Sequence, residues 1–198
     1  MRATTKKRTA PKEERQQQLI QATIRSVARN GLSETTMATV SSEAGLSQGI
    51  INLHFQSKER LLVETLRYLS EEYRSTWKKA VSRAGDNPAD KLEAMVAMDF
   101  KPPACEQNKL AVWFAFWGES KSRPTYRKIC ASRDMAYRAE MIQACEELIE
   151  AGGYEDLDAN TVAAGLSAMT SGLWLDLLTN PRSTSREQAR HTCMSYLA

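Results

Sequence analysis

From Glu13 onward the positions that suit an apolar face recur every three or four residues, at Leu19, Ile20, Thr23, Ile24, Val27 and Ala28, and stop at Asn30-Gly31. That period predicts an amphipathic helix ended by a glycine. Residues 32–35 read as a short connection. Thr36 is placed to cap a second helix with Met37, Val40 and Ala44 inward, and Gly45 breaks the pattern. A third helix opens at Leu46-Ser47, with Ser47 as its cap and Ile50, Ile51 and Leu53 as its apolar face. A long helix over 58–83 follows, carrying Leu61, Leu62, Thr65, Leu66, Leu69, Tyr73 and Trp77 on one stripe and ended by Gly85-Asp86-Asn87-Pro88. Further helices are predicted over 88–100, 108–121, 124–151, 159–179 and 183–197. No stretch alternates polar and apolar long enough to make a strand. The expected fold is therefore all-α, of about nine helices. Its expected organisation is a flexible basic arm over 1–11, a three-helix domain over 12–57 and a helical body over 58–198.

Charge sharpens that division. The 198 residues carry 27 Lys and Arg against 24 Asp and Glu, but residues 1–60 hold ten of the bases and only five of the acids. A basic front on a nearly neutral body is the electrostatic footprint of a small nucleic-acid-binding module. Composition excludes disorder and collagen, and no uninterrupted apolar run approaches the length of a bilayer span, so no membrane segment is expected. The basic residues of 1–11 are not followed by the apolar core of a signal peptide, which predicts a cytoplasmic protein. Cys105, Cys130, Cys145 and Cys193 are spaced for neither a redox pair nor a zinc clip and read as reduced, buried thiols. With His54 and His191 the only histidines, and no phosphate loop or nucleophile elbow, no catalytic residue, metal or cofactor is expected and the chain does not read as an enzyme.

The segment 36–55 has the dimensions of a helix-turn-helix. Gly45 accepts the positive φ of a sharp turn without steric cost, and Ala44 is small enough for two helices to cross beside it. Ser47 leaves backbone N–H groups and a positive dipole end outward, a seat for a phosphate oxygen. Gln48 and Asn52 project from the same early turns, and both side chains pair with an adenine edge in the major groove. On spacing alone, a purely structural helical hairpin remains an alternative.

The order Thr36, Val40, Ala44-Gly45-Leu46-Ser47, Gly49, His54-Phe55, Lys58 and Leu61 closely resembles the amino-terminal signature of the TetR family of bacterial transcriptional repressors. The resemblance implies an all-helical homodimer with a DNA-binding head, a linking fourth helix and a body that holds a small-molecule pocket. It implies that Ser47, Gln48, Gly49 and Asn52 face the major groove, and that Thr36, His54 and Lys58 hold phosphates. Phe55 reads as a hydrophobic plug. Many members of the family carry tyrosine where this chain has Asn52, so Asn52 is expected to read a base rather than anchor a phosphate. The two carboxy-terminal helices are where the family places its dimer interface, and the small residues Ala163, Ala164, Gly165, Ala168 and Gly172 permit close approach there.

In the body, residues 110–117 and 172–175 are similar to the branch that contains the choline-responsive repressor of glycine betaine synthesis. Trp113, Phe116 and Trp117 share one helical face, Phe114 lies beside it, and Trp174 is placed to oppose them from another helix. A quaternary ammonium cannot donate a hydrogen bond and is held by ring quadrupoles at about 0.5 to 2 kcal/mol per contact, so such a cluster suits choline. Asp99, Glu119 or Asp176 would supply the compensating charge, and nothing in the sequence chooses among them. Aromatics at helical spacing are also ordinary core residues, and that reading stands beside the ligand cage. Rival functions are a repressor answering another hydrophobic or cationic ligand, an architectural DNA protein, and an enzyme acting on a small amine.

Overall fold

The computed structural model describes residues 12–197; the basic arm expected over 1–11 lies outside them. Among the described residues there are nine helices and no strand. They divide into two compact units, 12–65 and 66–197.

The first unit contains α1 (Lys12–Glu34), α2 (Met37–Glu43), α3 (Gln48–Phe55) and the opening turns of α4 (Lys58–Ala84). Gly31, at φ 76° and ψ 173°, interrupts α1 where the apolar period ends, so the chain turns there before one last helical turn. Thr36 caps α2 in a reciprocal box: its hydroxyl accepts from the Thr39 N–H, and the Thr39 hydroxyl accepts from the Thr36 N–H. Gly45 takes φ 64° in the turn to α3, where an added Cβ would meet nothing within 4 Å, so the demand is on the backbone conformation. The core is Leu19, Ile20, Ile24, Val27, Val40, Ile51, Phe55 and Leu61, each 6% exposed or less. Side chains fix α1 on α2. Gln18 Nε2 donates to the Ala44 carbonyl at 2.8 Å, and Glu43 receives Arg25 Nε at 2.8 Å and Arg29 Nη1 at 3.0 Å. The Arg25 hydrogen bond draws the Glu43 carboxyl below its usual range.

The second unit comprises the rest of α4 with α5 (Pro88–Asp99), α6 (Gln107–Glu119), α7 (Pro124–Gly152), α8 (Ala159–Thr179) and α9 (Arg186–Met194). Packing runs α5 on α7 and α9, α6 on α7 and α8, and α8 on α7 and α9. The α4 stripe is buried throughout, from Leu61 to Trp77, as its spacing predicts. Helix α9 is shorter than the expected 183–197, because Ser185 and Gln188 form a capping box that starts it at Arg186. All four cysteines are buried and unpaired, and burial pushes the Cys105 and Cys130 thiols up to about 11. Helix α8, with an 18-residue window of mean hydropathy 1.2, is long and apolar enough to cross a membrane by length and composition. Unbroken apolar runs overlook small and hydroxyl residues scattered through an apolar helix; a helix packed within a helical body, as α8 is on α6, α7 and α9, passes the same test, so α8 does not by itself mark a membrane segment.

Candidate functional site

The first unit presents a polar lip. Ser47, Gln48, Gly49 and Asn52 are all exposed along the opening turns of α3. Ser47 occupies the N-cap position in extended geometry, but its hydroxyl makes no capping bond. The first backbone N–H groups of α3 have no acceptor within the helix, as at any helix start. Leu53 does not join the apolar face expected for it. It is 77% exposed, because Ile51 and Phe55 already take the inward positions of this short helix. The lip is therefore partly apolar, a mix suited to base edges and thymine methyl groups. Thr36 is exposed at the cap of α2. Lys58 Nζ donates to the Ser33 carbonyl at 2.9 Å, which holds the ammonium group at the α1 terminus and leaves it two further donors. His54 is half-buried, and its Nδ1 has no partner among the described residues. Phe55 is fully buried.

In the second unit, four aromatic rings from three helices converge: Tyr73 of α4, Trp113 and Trp117 of α6, and Trp174 of α8. Trp117 and Trp174 stack almost parallel, with centroids 6.5 Å apart and planes at 11°. Trp113 lies 6.1 Å from Trp117, and Tyr73 meets Trp174 edge-on at 6.1 Å. Phe114 backs Trp117 at 5.0 Å. Phe116, expected on this face, packs instead against Tyr126 with centroids 4.9 Å apart; Tyr73 takes the place envisaged for it. The three-residue step from Trp113 to Phe116 and the four-residue step to Trp117 lie on opposite sides of the stripe, so one face divides between two neighbours.

Of the three candidate carboxylates, Asp99 belongs to this cluster. It is fully buried and accepts from the Tyr73 hydroxyl at 2.7 Å and the Tyr137 hydroxyl at 2.6 Å, while its backbone carbonyl accepts from Trp174 Nε1 at 2.8 Å. Burial raises its pKa to about 6, opposed by the two tyrosine hydroxyls and by Arg133. The two tyrosines shift in the same direction, with burial and the neighbouring Asp99 charge raising both phenols well above their usual value. Glu119 instead accepts from the Ser122 hydroxyl, and Asp176 is exposed on α8.

The rings surround the guanidinium of Arg133 from α7. Its Cζ lies 4.3 Å from the Tyr73 centroid, 4.4 Å from Trp113, 5.5 Å from Trp117 and 5.8 Å from Trp174. A cavity of about 260 Å³ adjoins the cluster, lined among others by Tyr73, Asp99, Trp117, Arg133, Tyr137 and Trp174. Tyr73, read from the sequence only as part of the α4 core stripe, and Arg133 and Tyr137, four residues apart on one face of α7, are the members that sequence reasoning missed. Helix α7 has no continuous apolar stripe, and the only signal was that spacing of a cation and an aromatic.

Residues 19–65 match the family described as bacterial regulatory proteins, tetR family, and residues 88–198 match the carboxy-terminal domain of BetI-type transcriptional repressors. The chain belongs to the TetR family, with a BetI-type body. A regulator named BetI from Burkholderia thailandensis is 34% identical over 164 residues, covering 83% of this chain and 82% of that protein. One from Stenotrophomonas maltophilia is 30% identical over 161 residues, covering 81% and 80%. Among solved structures, a transcriptional regulator of Pseudomonas aeruginosa superposes with a TM-score of 0.82 at 29% identity, covering 96% of this chain and 91% of that one. A regulator of Saccharomonospora viridis, solved in complex with choline, has a TM-score of 0.81 at 24% identity and shares the fold over 93% of this chain and 96% of its own. This TetR-family chain is thus a transcriptional regulator with a helix-turn-helix in its first unit and a helical body in its second.

Proposed function

We propose that this TetR-family regulator is a cytoplasmic repressor that leaves a palindromic operator when a small quaternary ammonium compound, choline in the first instance, binds in its body. In this reading 12–57 is the DNA-binding domain and 58–198 the ligand-binding and dimerisation domain. The observation that carries the ligand is the aromatic cluster of Tyr73, Trp113, Trp117 and Trp174 around a cationic position, with the buried Asp99 carboxylate beside it. Ring faces attract an alkylated cation that has no N–H to offer, and a nearby carboxylate balances its charge in a dry site. The named BetI relatives and the choline complex of the Saccharomonospora viridis regulator support the same ligand class.

The exposed lip of Ser47, Gln48, Gly49 and Asn52 enters the major groove, while Thr36, His54 and Lys58 face phosphates. One short recognition helix reads few base pairs, so two copies are needed, with half-sites about 34 to 36 Å apart. Helix α8 supplies the dimer surface. Gly165, Ala168 and Gly172 are exposed on it, and Leu175 is 45% exposed, whereas Ala163 is wholly buried within its own protomer. Helix α4 runs from Lys58 to Ala84 and carries Tyr73, so a ligand at the aromatic cluster touches the helix whose opening turns belong to the first unit. A coupling of about 1 to 3 kcal/mol would weaken operator binding about 5- to 150-fold, and by reciprocity DNA weakens the ligand equally.

The test is a gel shift on DNA flanking the protein's own gene, at stated salt, with and without choline chloride. A shifted band that choline dissolves supports the reading. Binding that no quaternary cation alters removes the effector, and binding unaffected by Gln48→Ala and Asn52→Ala removes the assigned base readers.

A further inference from the structure

The cation position in the aromatic cluster is taken by the protein's own Arg133. Its side chain is only 8% exposed, and four ring centroids lie within 5.8 Å of its Cζ. These are the distances at which a ring holds a cation. The guanidinium is nevertheless poorly served there. Asp134 Oδ1 forms an ion pair with Arg133 Nε at 2.7 Å without a well-aligned hydrogen bond, and Nη1 has no hydrogen-bond acceptor among the described residues. A buried guanidinium with unused donors is a costly arrangement, so it gains by leaving if acceptors lie within reach.

One such acceptor lies on its other side. Arg133 also lines a second cavity, of about 410 Å³, between α4 and α7, whose lining includes the hydroxyls of Ser70 and Ser132, the cations Arg67, Arg74 and Lys128, and Glu71, which is already paired with Arg74. The Ser70 hydroxyl is buried and has no partner among the described residues. Arg133 therefore stands on the wall between an aromatic seat and a polar one. The charges facing the aromatic seat are Asp99, Asp134, Arg133 and Arg138, two of each sign. A further cation entering beside Arg133 would break that balance, whereas one that replaces its guanidinium preserves it.

We propose that Arg133 is an internal competitor that fills the cation seat when no effector is bound, so that a quaternary ammonium ion binds by displacing its guanidinium from the rings toward the second cavity and the Ser70 hydroxyl. Arg133 thereby sets effector affinity and selectivity: only a cation that gains more from the rings than a guanidinium does will enter. The proposal rests on the aromatic cluster being the effector site. It makes Arg133 a determinant of response threshold without requiring it to touch the bound ligand.

Calorimetric titration of the full-length protein with choline chloride and with tetramethylammonium chloride tests this in the wild type, Arg133→Gln and Arg133→Met, with circular dichroism confirming that each is folded. Removing the competitor is expected to tighten both cations about tenfold, or about 1.4 kcal/mol. In Arg133→Ala, methylguanidinium chloride is expected to bind and to compete with choline, filling the vacated seat; in the wild type it should not. A readout on the wild type needs no substitution. The Arg133 Nε–H resonance, ring-shifted in the free protein, should move toward its solvent position as choline saturates. Unchanged or weaker choline binding in the variants overturns the proposal, as does an Nε–H that stays ring-shifted at saturation. Glycine betaine binding that depends on Arg133, with choline unaffected by its loss, overturns it by making the guanidinium a carboxylate partner. If neither wild type nor variants bind any quaternary cation, the effector reading falls together with it.

Discussion

Replacing Tyr137 by phenylalanine isolates one hydrogen bond to a buried carboxylate. The ring remains to pack against Tyr73 and Trp77, at 5.5 and 6.0 Å, and only the hydroxyl that reaches Asp99 Oδ2 at 2.6 Å is lost. A bond to an ionised group contributes about 1.5 to 3 kcal/mol, and one to a neutral carboxyl about 0.5 to 1.5. The effect must therefore depend on pH. Asp99 titrates at about 6 in the folded protein against the usual 3.8, so between those values the native state holds a proton that the unfolded chain has released. Its contribution to stability is greatest below about pH 4 and is lost as pH rises through 6, about 3 kcal/mol in all. Without the Tyr137 donor the folded pKa rises further, by about one unit for each 1.4 kcal/mol of differential stabilisation lost. Urea unfolding at fixed protein concentration should then show Tyr137→Phe less stable than wild type by about 2 kcal/mol near pH 7.5, and by about 1 kcal/mol near pH 5. For a chain of this size the larger penalty corresponds to a Tm lower by about 4 to 8 °C. An equal penalty at both pH values would refute the reasoning, because the hydroxyl would then not be supporting a carboxylate that titrates in this range.

Two further substitutions address the first unit. Gly45→Ala should cost about 1 to 2 kcal/mol by thermal unfolding, wholly through the left-handed backbone at φ 64°, since an added Cβ meets nothing within 4 Å. A loss well beyond that range would point to a contact the turn does not have. Leu53→Ser should leave the unfolding midpoint unchanged to within about 0.5 kcal/mol, because the side chain is already 77% exposed, while lowering affinity for operator DNA in a gel shift. Substantial destabilisation would instead return Leu53 to the core.

The helices were legible in the sequence because each carries a local physical signal. The three-and-four spacing of Leu61 to Trp77 specified a buried stripe; Thr36 and Gly45 marked where one helix had to begin and another to turn. The motif from Thr36 to Leu61 pointed to the family for the same reason, since it is a contiguous unit whose parts constrain one another over a few residues. The aromatic cluster was legible only in part. Trp113, Trp117 and Trp174 announced themselves as large residues on apolar helices, but spacing could not say that Phe116 would turn to Tyr126 or that Leu53 would face outward from so short a helix. Nor could it choose Asp99 over Glu119 and Asp176, or bring Tyr73, Arg133 and Tyr137 to the same place from α4 and α7. Those assignments depend on which helix lies across which, and a helix's own sequence records how wide its buried face is without recording what will cover it. The identity of the facing residues, and hence the charge balance of the site, is decided only when segments tens of residues apart pack together.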